Sequence, residues 1–405
     1  MKHLSKSILF ILLMLFCFGC NSTQKEGVTT DETEIGNVDE TETSTTPDKD
    51  FCSIDKNEAT LALNQVADWQ INHLNYSTTT NLHDNGVGAW TNATFYLGLL
   101  EWAKTKGNDT TYLKWLNGIG EKTNWVIPAN FKDYPKYQLY HADEFCIAQT
   151  YLGLYDINKD KRLLTSAVER ANWVLNNPGN QNMQHTNKQS WTWCDALFMA
   201  PPVYVHLAQI ENNEKYLRFM DTEFKRTYNY LYSKDDKLFF RDDSYFSKTE
   251  LNGEKIFWGR GNGWVAAGLV SILKLLPENS EYRPFYENLF KEFVPKLAAL
   301  QNEDGFWHAS LLDPESYPAP ETSATALITY ALAYGINQGL LDKQTYCPTL
   351  NKSWGALLSV IDNDGKLGWV QPIGADPKKV TADMTATYGV GAFLLAGTEV
   401  LEIDE

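Results

Sequence analysis

The chain has 405 residues and a formal net charge of −16 at pH 7, from 51 acidic and 35 basic side chains. An acidic protein repels nucleic acid and other polyanions at long range, so we expect no nucleic-acid partner. An anionic substrate must instead be held by local basic residues. Apart from Cys17 and Cys20 near the N-terminus, the cysteines form no CxxC pair and no cluster with histidine, so neither a metal site nor a cofactor is predicted.

The N-terminus reads as an export signal. Lys2 and Lys6 precede an apolar run over residues 8–18, which is too short to cross a bilayer as a folded element. Residues 15–20 resemble the bacterial lipobox, which predicts that the signal peptide spans residues 1–20 and that Cys20 is lipidated. The alternative is an ordinary secretory signal that is cut elsewhere. We expect a cell-envelope protein that meets the membrane only through its lipid anchor.

Residues 21–50 are rich in Thr, Glu and Asp and contain no aromatic residue. Such a composition cannot bury enough apolar surface to offset chain entropy, which predicts a flexible acidic linker. Removing the linker's charge of −7 and the leader's +2 from −16 leaves −11 on residues 51–405. We expect those residues to form one catalytic domain.

From residue 51 onward, apolar residues recur mostly at helical spacing. A polar turn followed by a bulky residue repeats at intervals of 51 to 66 residues, about the length of two helices with their connections. The repeats end at Tyr112, Leu163, Tyr216, Tyr282 and Tyr346. Five or six helical hairpins of this kind predict an all-α toroid, with an inner ring of helices inside an outer one. A superhelical solenoid has the same period, so closure of the ring remains open.

The cysteines after the leader are Cys52, Cys146, Cys194 and Cys347. Two disulfides are compatible with this number, and the sequence does not pair them. Cys146 and Cys194 lie within apolar helix-like runs, so we expect them to be buried free thiols.

Four segments place polar residues beside Trp and Gly where a structural helix would not need them: 88–92, 141–149, 191–202 and 258–264. Sugar sites use this mixture. An aromatic face stacks on the pyranose ring, carboxylates transfer protons, and a guanidinium binds a carboxylate through two parallel hydrogen bonds.

Asp143 and Asp195 each precede an apolar helical run, so one interpretation makes both of them N-caps. The second interpretation is catalytic. Asp195 lies between Trp193 and an uninterrupted apolar stretch, which predicts burial and therefore either charged partners or a raised pKa.

Arg260 lies among Gly259, Gly261 and Gly263, which let a ligand approach the backbone closely. Trp258 and Trp264 flank this run and are equally compatible with a ligand shelf and with core packing. The alternative for Arg260 is a structural salt bridge.

At these segments the sequence resembles the unsaturated rhamnogalacturonyl hydrolases of glycoside hydrolase family 105 and, more distantly, the unsaturated glucuronyl hydrolases of family 88. The motifs that carry the resemblance are WTWCDALFMAPP at 191–202, WGRGNGW at 258–264, and the runs at 321–326 and 330–335. The resemblance implies an (α/α)6 barrel and an exo-acting hydrolase without a cofactor. Its substrate is an oligosaccharide that a lyase has left with a 4,5-unsaturated uronic acid, and it adds water across the C4=C5 bond.

The resemblance also implies residue roles. Asp195 matches the general acid that protonates C4 and then takes a proton from the water attacking C5. Asp143 matches the second carboxylate, which orients that water or substrate hydroxyls. The residues implied to contact the substrate are Trp90, His141, Trp258, Arg260 and Trp264.

Two positions depart from the family's pattern. Ala89 stands where many relatives carry Asp, and the segment 238–245 lacks the histidine that relatives carry there. If Arg241 in that segment points into the site, it can hold the uronate carboxylate together with Arg260; the alternative is a surface pair with Asp242. We therefore expect a different uronic acid or leaving sugar, for example unsaturated glucuronic acid linked to galactose, rhamnose or xylose.

Two other functions fit the same residues. An inverting glycosidase, or a lyase, would cut saturated chains with Asp143 and Asp195 as an acid and base pair. A glycan-binding lipoprotein would use the aromatic residues to capture oligosaccharides without cleaving them.

Overall fold

The computed structural model describes residues 52–77, 81–128 and 139–404. The predictions for the signal peptide, for Cys20 and for the linker lie outside the described residues. No helix in the part of the chain that is described is long and apolar enough to cross a membrane.

Helices dominate the described residues. Those of ten residues or more are α1 (Lys56–Asn72), α3 (Trp90–Thr105), α4 (Thr110–Thr123), α5 (Cys146–Asn158), α6 (Arg162–Asn176), α8 (Pro201–Ile210), α9 (Glu214–Leu231), α10 (Gly259–Leu275), α11 (Arg283–Ala298), α12 (Thr322–Asn337), α13 (Lys343–Ser359) and α14 (Thr387–Leu401). Two short helices, α2 (Leu82–Asn85) and α7 (Ala196–Met199), precede α3 and α8.

The long helices alternate between an outer and an inner ring. An inner helix is buried on all sides, as in α12, where every residue from Thr322 to Ile336 is buried. An outer helix buries one stripe, as in α9, where the buried residues recur three or four positions apart. The inner helices pack in the order α3, α5, α8, α10, α12, α14, and α14 packs back against α3. The ring is therefore closed, which confirms the (α/α)6 barrel over the solenoid.

The repeated polar turns join inner to outer helices, as the spacing predicts. Asp109, Asn213 and Asp342 are the N-caps of α4, α9 and α13, and each side chain accepts a hydrogen bond from a backbone N–H of the first turn. These turns lie at the end of the barrel opposite the starts of the inner helices.

A short hairpin interrupts the helical pattern between α9 and α10. Its strands are β1 (Tyr232–Ser233) and β2 (Leu238–Phe239), paired antiparallel. No sequence pattern predicts this hairpin, because two-residue strands are too short to show alternation of apolar and polar residues. The hairpin leads directly to Arg241.

Cys52 and Cys347 form a disulfide that joins residues 295 positions apart, between the segment before α1 and helix α13. Cys146 and Cys194 are free and buried, as predicted. The disulfide therefore ties the first outer helix of the barrel to the last one.

We expect reduction of this disulfide to destabilise the folded protein by about 2–4 kcal/mol, because the long closed loop restricts the unfolded chain. Thermal unfolding with and without reductant measures the effect. The Cys52→Ala variant is the control, since its Tm should not respond to reductant. An equal Tm for the reduced and oxidised wild type would contradict the prediction.

Candidate active site

A cavity of about 150 Å³ lies at the end of the barrel where the inner helices begin. Its described lining residues are His83, Asp84, Trp90, Asp143, Trp193, Asp195, Met199, Arg241, Trp258, Arg260, Trp264, Ile373 and Gly374. The barrel thus brings the four predicted segments together, although they are far apart in the sequence. Of the predicted site residues among those described, only His141 does not line the cavity.

Asp195 precedes helix α7, but its side chain makes no capping hydrogen bond. Asp195 therefore occupies the N-cap position without capping the helix, so capping does not account for this carboxylate. The carboxylate is largely buried and accepts a hydrogen bond from the Cys194 thiol, with 3.3 Å between Sγ and Oδ1. Burial raises the pKa of Asp195, although the nearby Arg241 guanidinium opposes this shift. A carboxyl group with a raised pKa is suited to donate a proton.

Asp143 lies inside a 3-10 turn over Ala142–Phe145, and His141 occupies the N-cap position of that turn. The capping interpretation is therefore wrong for Asp143. Burial opposes its ionisation, but His141, His83 and Arg241 outweigh burial and hold the pKa of Asp143 below its usual value. The pKa values of Asp143 and Asp195 are thus shifted in opposite directions within one cavity. Such a pair can divide the roles of acid and base.

Arg241 is positioned by the motif that contains Arg260. The Asn262 side chain accepts a hydrogen bond from the Phe239 N–H and donates one to the Phe239 carbonyl, which fixes β2 against the start of α10. Two residues later, the Arg241 carbonyl accepts a hydrogen bond from the Cys194 N–H at 2.9 Å. The backbones that carry Arg241 and Asp195 are therefore joined directly.

The Arg241 side chain pairs with Asp242 and also lies close to Asp195 in the cavity. Its Nη1 donates to Asp242 Oδ2 at 2.6 Å, while its Nε lies 3.9 Å from Asp195 Oδ2. The Nε is buried and has no hydrogen-bond partner within the protein. Since Asp242 is itself buried, the pair is not a surface pair. The Arg241 side chain lines the cavity and is 26% exposed, so the rest of the guanidinium can bind an anionic ligand there.

Arg260 is fully buried, and it binds backbone carbonyls rather than a carboxylate. Its Nη1 donates to the Gln371 carbonyl at 2.6 Å, and its Nη2 donates to the Pro372 carbonyl at 2.9 Å. The guanidinium also lies over the rings of Trp258 and Tyr388. The predicted structural salt bridge is therefore wrong. Arg260 fixes the segment that forms one lip of the cavity.

Glycine at position 261 lets these groups approach each other. A Cβ at Gly261 would lie 3.0 Å from the Trp258 ring, 3.1 Å from Cys194 Sγ and 3.5 Å from Asp195 Oδ1. A side chain here would press on the residues that hold the catalytic carboxyl group, which explains why the motif uses glycine.

Trp90, Trp258 and Trp264 belong both to the hydrophobic core and to the cavity wall. Trp258 and Trp264 are 2% and 1% exposed, so they present only a ring edge to the cavity. Trp90 is stacked on Tyr388 with 5.3 Å between ring centroids, and it meets Trp264 edge to face at 6.3 Å. Most of the surface of the Trp258 and Trp264 side chains is therefore buried in the core.

His141 supports the site from behind. Its ring packs against Trp193 at 4.7 Å, and its Nδ1 lies 3.8 Å from Asp143 Oδ2. Burial lowers the pKa of His141. The structure thus places this predicted substrate-binding residue against Asp143 instead of in the cavity lining.

His83 lines the cavity but was not predicted. Its Nδ1 lies 2.8 Å from Glu144 Oε1, and its Nε2 lies 3.5 Å from Asp143 Oδ2. Hydrogen bonds with Asp143 and then Glu144 raise the pKa of His83 to about 10, so the ring is cationic at neutral pH. The sequence signal was its position just before the Gly and Trp segment at 88–92.

Asp84 is a second unpredicted residue of the cavity. Its Oδ1 accepts a hydrogen bond from the Trp90 indole at 3.1 Å. Ala89, which departs from the family's pattern, precedes α3 and offers no polar side chain. The carboxylate beside Trp90 thus comes from Asp84, five positions before Ala89.

Two groups of described residues have the donor atoms of a metal site: one consists of His185, Asp242 and Asp243, and the other borders the cavity. A nitrogen of His83, a nitrogen of His141 and an oxygen of Asp143 lie within 4.8 Å of one another. In this second group His83 also pairs with Glu144, with 2.8 Å between Nδ1 and Oε1, so the histidine has a partner within the protein.

The sequence matches a known protein family. The model described as "Glycosyl Hydrolase Family 88" matches residues 62–403. An unsaturated 3S-rhamnoglycuronyl hydrolase of Formosa agariphila is 39% identical over 332 residues, which cover 78% of this chain and 85% of that protein. A protein of the same name from an Alteromonas species is 35% identical, with 83% and 84% covered.

A solved structure agrees in fold. The glycosyl hydrolase family 88 protein from Bacteroides vulgatus superposes with a TM-score of 0.77 at 30% identity, covering 86% of this chain and 99% of the other. The resemblance that the motifs indicated is thereby confirmed over nearly the whole described domain.

Proposed function

Because the chain belongs to glycosyl hydrolase family 88 and is a hydrolase of unsaturated uronic-acid sugars, we propose that its own substrate is an unsaturated rhamnoglycuronyl oligosaccharide. The similarity to two 3S-rhamnoglycuronyl hydrolases supports this choice of leaving sugar. The observation that carries the mechanism is the pair of oppositely shifted carboxyl groups, Asp195 and Asp143, in one cavity with Arg241.

The reaction begins when the protonated Asp195 carboxyl donates its proton to C4. The C4=C5 electron pair forms the new C–H bond, and the positive charge at C5 is shared with the ring oxygen. Water then attacks C5 and gives a proton back to Asp195, which restores the acid. The resulting hemiketal opens and releases the second sugar.

The other cavity residues assist these steps. Asp143 remains ionised and can orient the attacking water or stabilise the positive charge at C5. The part of the Arg241 guanidinium that is not paired with Asp242 binds the carboxylate on C5, since a guanidinium and a carboxylate form charge-assisted hydrogen bonds. Arg260 acts indirectly by holding the lip at 371–374 in place.

The pKa shifts predict how the rate depends on pH. The general acid must be protonated, so kcat/KM should fall as pH rises through the pKa of Asp195, which burial places above the ordinary value. The pKa of Asp143 is lowered, so its protonation should limit the rate only at a pH below its usual range. A pH profile of kcat/KM on an unsaturated disaccharide measures both limits. A rate that rises through the same range would contradict the assignment of Asp195 as the acid.

A panel of unsaturated disaccharides made by different lyases tests the substrate. Loss of the absorbance of the C4=C5 bond should be fastest for uronic acid linked to rhamnose, and the comparison should include rhamnose with and without a 3-sulfate. Faster turnover of a disaccharide whose unsaturated uronic acid is linked to galactose or xylose would contradict the proposed leaving sugar. Binding without turnover would favour the glycan-binding protein, and new absorbance from saturated chains would favour a lyase.

We also propose that the protein is attached to the cell envelope through a lipid on Cys20. The basic and apolar leader, the lipobox-like residues 15–20 and the acidic linker that follows support this. Labelling with a radioactive fatty acid in a bacterial host tests it, with Cys20→Ala as the variant. Equal labelling of both proteins, or recovery of the wild type entirely in the soluble fraction, would contradict the anchor.

A further inference from the structure

A second cavity, of about 460 Å³, adjoins the active site at the same end of the barrel. It lies between the end of outer helix α1 and the starts of inner helices α3 and α14. Its volume falls within the range of small-molecule sites, about 300–1,000 Å³. None of the reaction steps described above uses it.

Two buried polar atoms that belong to residues lining this cavity have no hydrogen-bond partner within the protein. They are Oε1 of Gln70, a residue only 4% exposed, and Oγ1 of Thr385. A buried polar group without a partner is costly, and most such groups in folded proteins are satisfied. Both side chains therefore have unused hydrogen-bonding capacity, which a ligand hydroxyl group can use after the side chain turns toward the cavity.

The chemistry of the lining indicates an uncharged ligand. The described lining residues include no Asp, Glu, Lys or Arg, in contrast to the catalytic cavity with its carboxylates and arginines. The histidine in the lining, His73, stacks on one face of the Trp69 ring, and its Nδ1 lies 2.7 Å from the Trp69 carbonyl oxygen. Asn75 and Asn85 contribute amide groups, and Trp69 contributes an aromatic ring. Amides, hydroxyls and one aromatic ring suit the hydroxyls and C–H faces of a neutral sugar.

The second cavity lies next to the catalytic cavity, where a longer substrate can reach both. Ile373, which is 43% exposed, lines both cavities and forms a ridge between them. At the start of α3 the two cavities share a wall, because Trp90 lines the catalytic cavity whereas Thr91 lines the second. An oligosaccharide that leaves the catalytic cavity across Ile373 enters the second cavity.

We propose that this cavity is a distal subsite that binds a neutral sugar beyond the leaving sugar of longer substrates, an inference that rests on the proposed function. Unsaturated tetrasaccharides with a neutral third sugar then bind more tightly than disaccharides. The uronic acid is selected in the first cavity, and the length of the chain is sensed in the second.

The test compares an unsaturated disaccharide with a tetrasaccharide whose third sugar, next to the leaving sugar, is neutral, for example xylose. Gln70→Leu keeps the size of the side chain but removes its polar groups, and Asn75→Ala changes an exposed position that does not affect folding. Both variants should turn over the disaccharide as the wild type does. Their kcat/KM for the tetrasaccharide should fall about five- to tenfold, chiefly through KM, as expected for a lost hydrogen bond. The matched control is Gln338→Leu, an exposed residue at the opposite end of the barrel.

Equal relative losses on both substrates, or no loss on either, would overturn the subsite. The proposed function fails separately, by absence of disaccharide turnover in the wild type. In that case, calorimetric binding of the tetrasaccharide to the wild type and to both variants still decides the inference. Equal affinities would reject the distal subsite.

Discussion

Asp195→Asn should lower kcat by about 10²- to 10⁴-fold, the usual contribution of a general acid, and should leave the fold intact. The amide has nearly the shape of the carboxyl group, and its oxygen can still accept the hydrogen bond from Cys194. It cannot supply a proton to C4. Burial, which raises the pKa of Asp195, also means that water does not readily replace the lost acid.

The rate of the Asp195→Asn variant should be measured together with its thermal unfolding, so that loss of activity is separated from loss of structure. Asp235→Asn is a suitable control, since this aspartate is exposed between β1 and β2. Near-normal turnover by a folded Asp195→Asn protein would rule out Asp195 as the acid.

The second large effect is expected for Arg241→Gln. Loss of a charge-assisted hydrogen bond to the substrate carboxylate should raise KM by about ten- to a hundredfold. The same change should alter the pH profile. The Arg241 guanidinium lowers the pKa of Asp195, so its removal raises that pKa further and moves the fall in activity to higher pH.

Arg241→Lys separates these two effects. Lysine keeps the positive charge beside Asp195 but lacks the planar fork that binds a carboxylate at two points. Its KM should therefore rise, while the pH at which activity falls should stay close to that of the wild type. An unchanged KM for Arg241→Gln would show that the uronate is held elsewhere, and an unchanged pH profile would show that Arg241 does not act on Asp195.

The fold was largely predictable from the sequence because its signals are local. Helical spacing of apolar residues and turns such as the one before Tyr112 recur along the chain, and each turn reports one hairpin. Closure of the ring depends on the packing of α14 against α3. That contact joins the two ends of the domain, so no local pattern distinguishes it from a solenoid.

The site was predictable where motifs carry its residues. Asp195, Arg260 and Trp264 stand in runs whose composition is unusual for a structural helix, whereas His83 stands in an ordinary polar turn. Its importance comes from Glu144, which is 61 residues away in the sequence. For Arg260 the sequence predicted that the residue belongs to the site but not what it binds. Its partners are the carbonyls of residues 371 and 372, more than 100 positions away in the sequence.

The central claim is that the enzyme adds water across the C4=C5 bond of an unsaturated uronic acid and places the new hydrogen on C4. Turnover of an unsaturated disaccharide in heavy water tests it most directly, with the absorbance of the double bond and the mass and NMR spectra of the product as readouts. We expect the absorbance to disappear and one deuterium to be found at C4 of the released uronic acid. Release of the second sugar with the double bond retained, and with no deuterium at C4, would contradict the hydration mechanism.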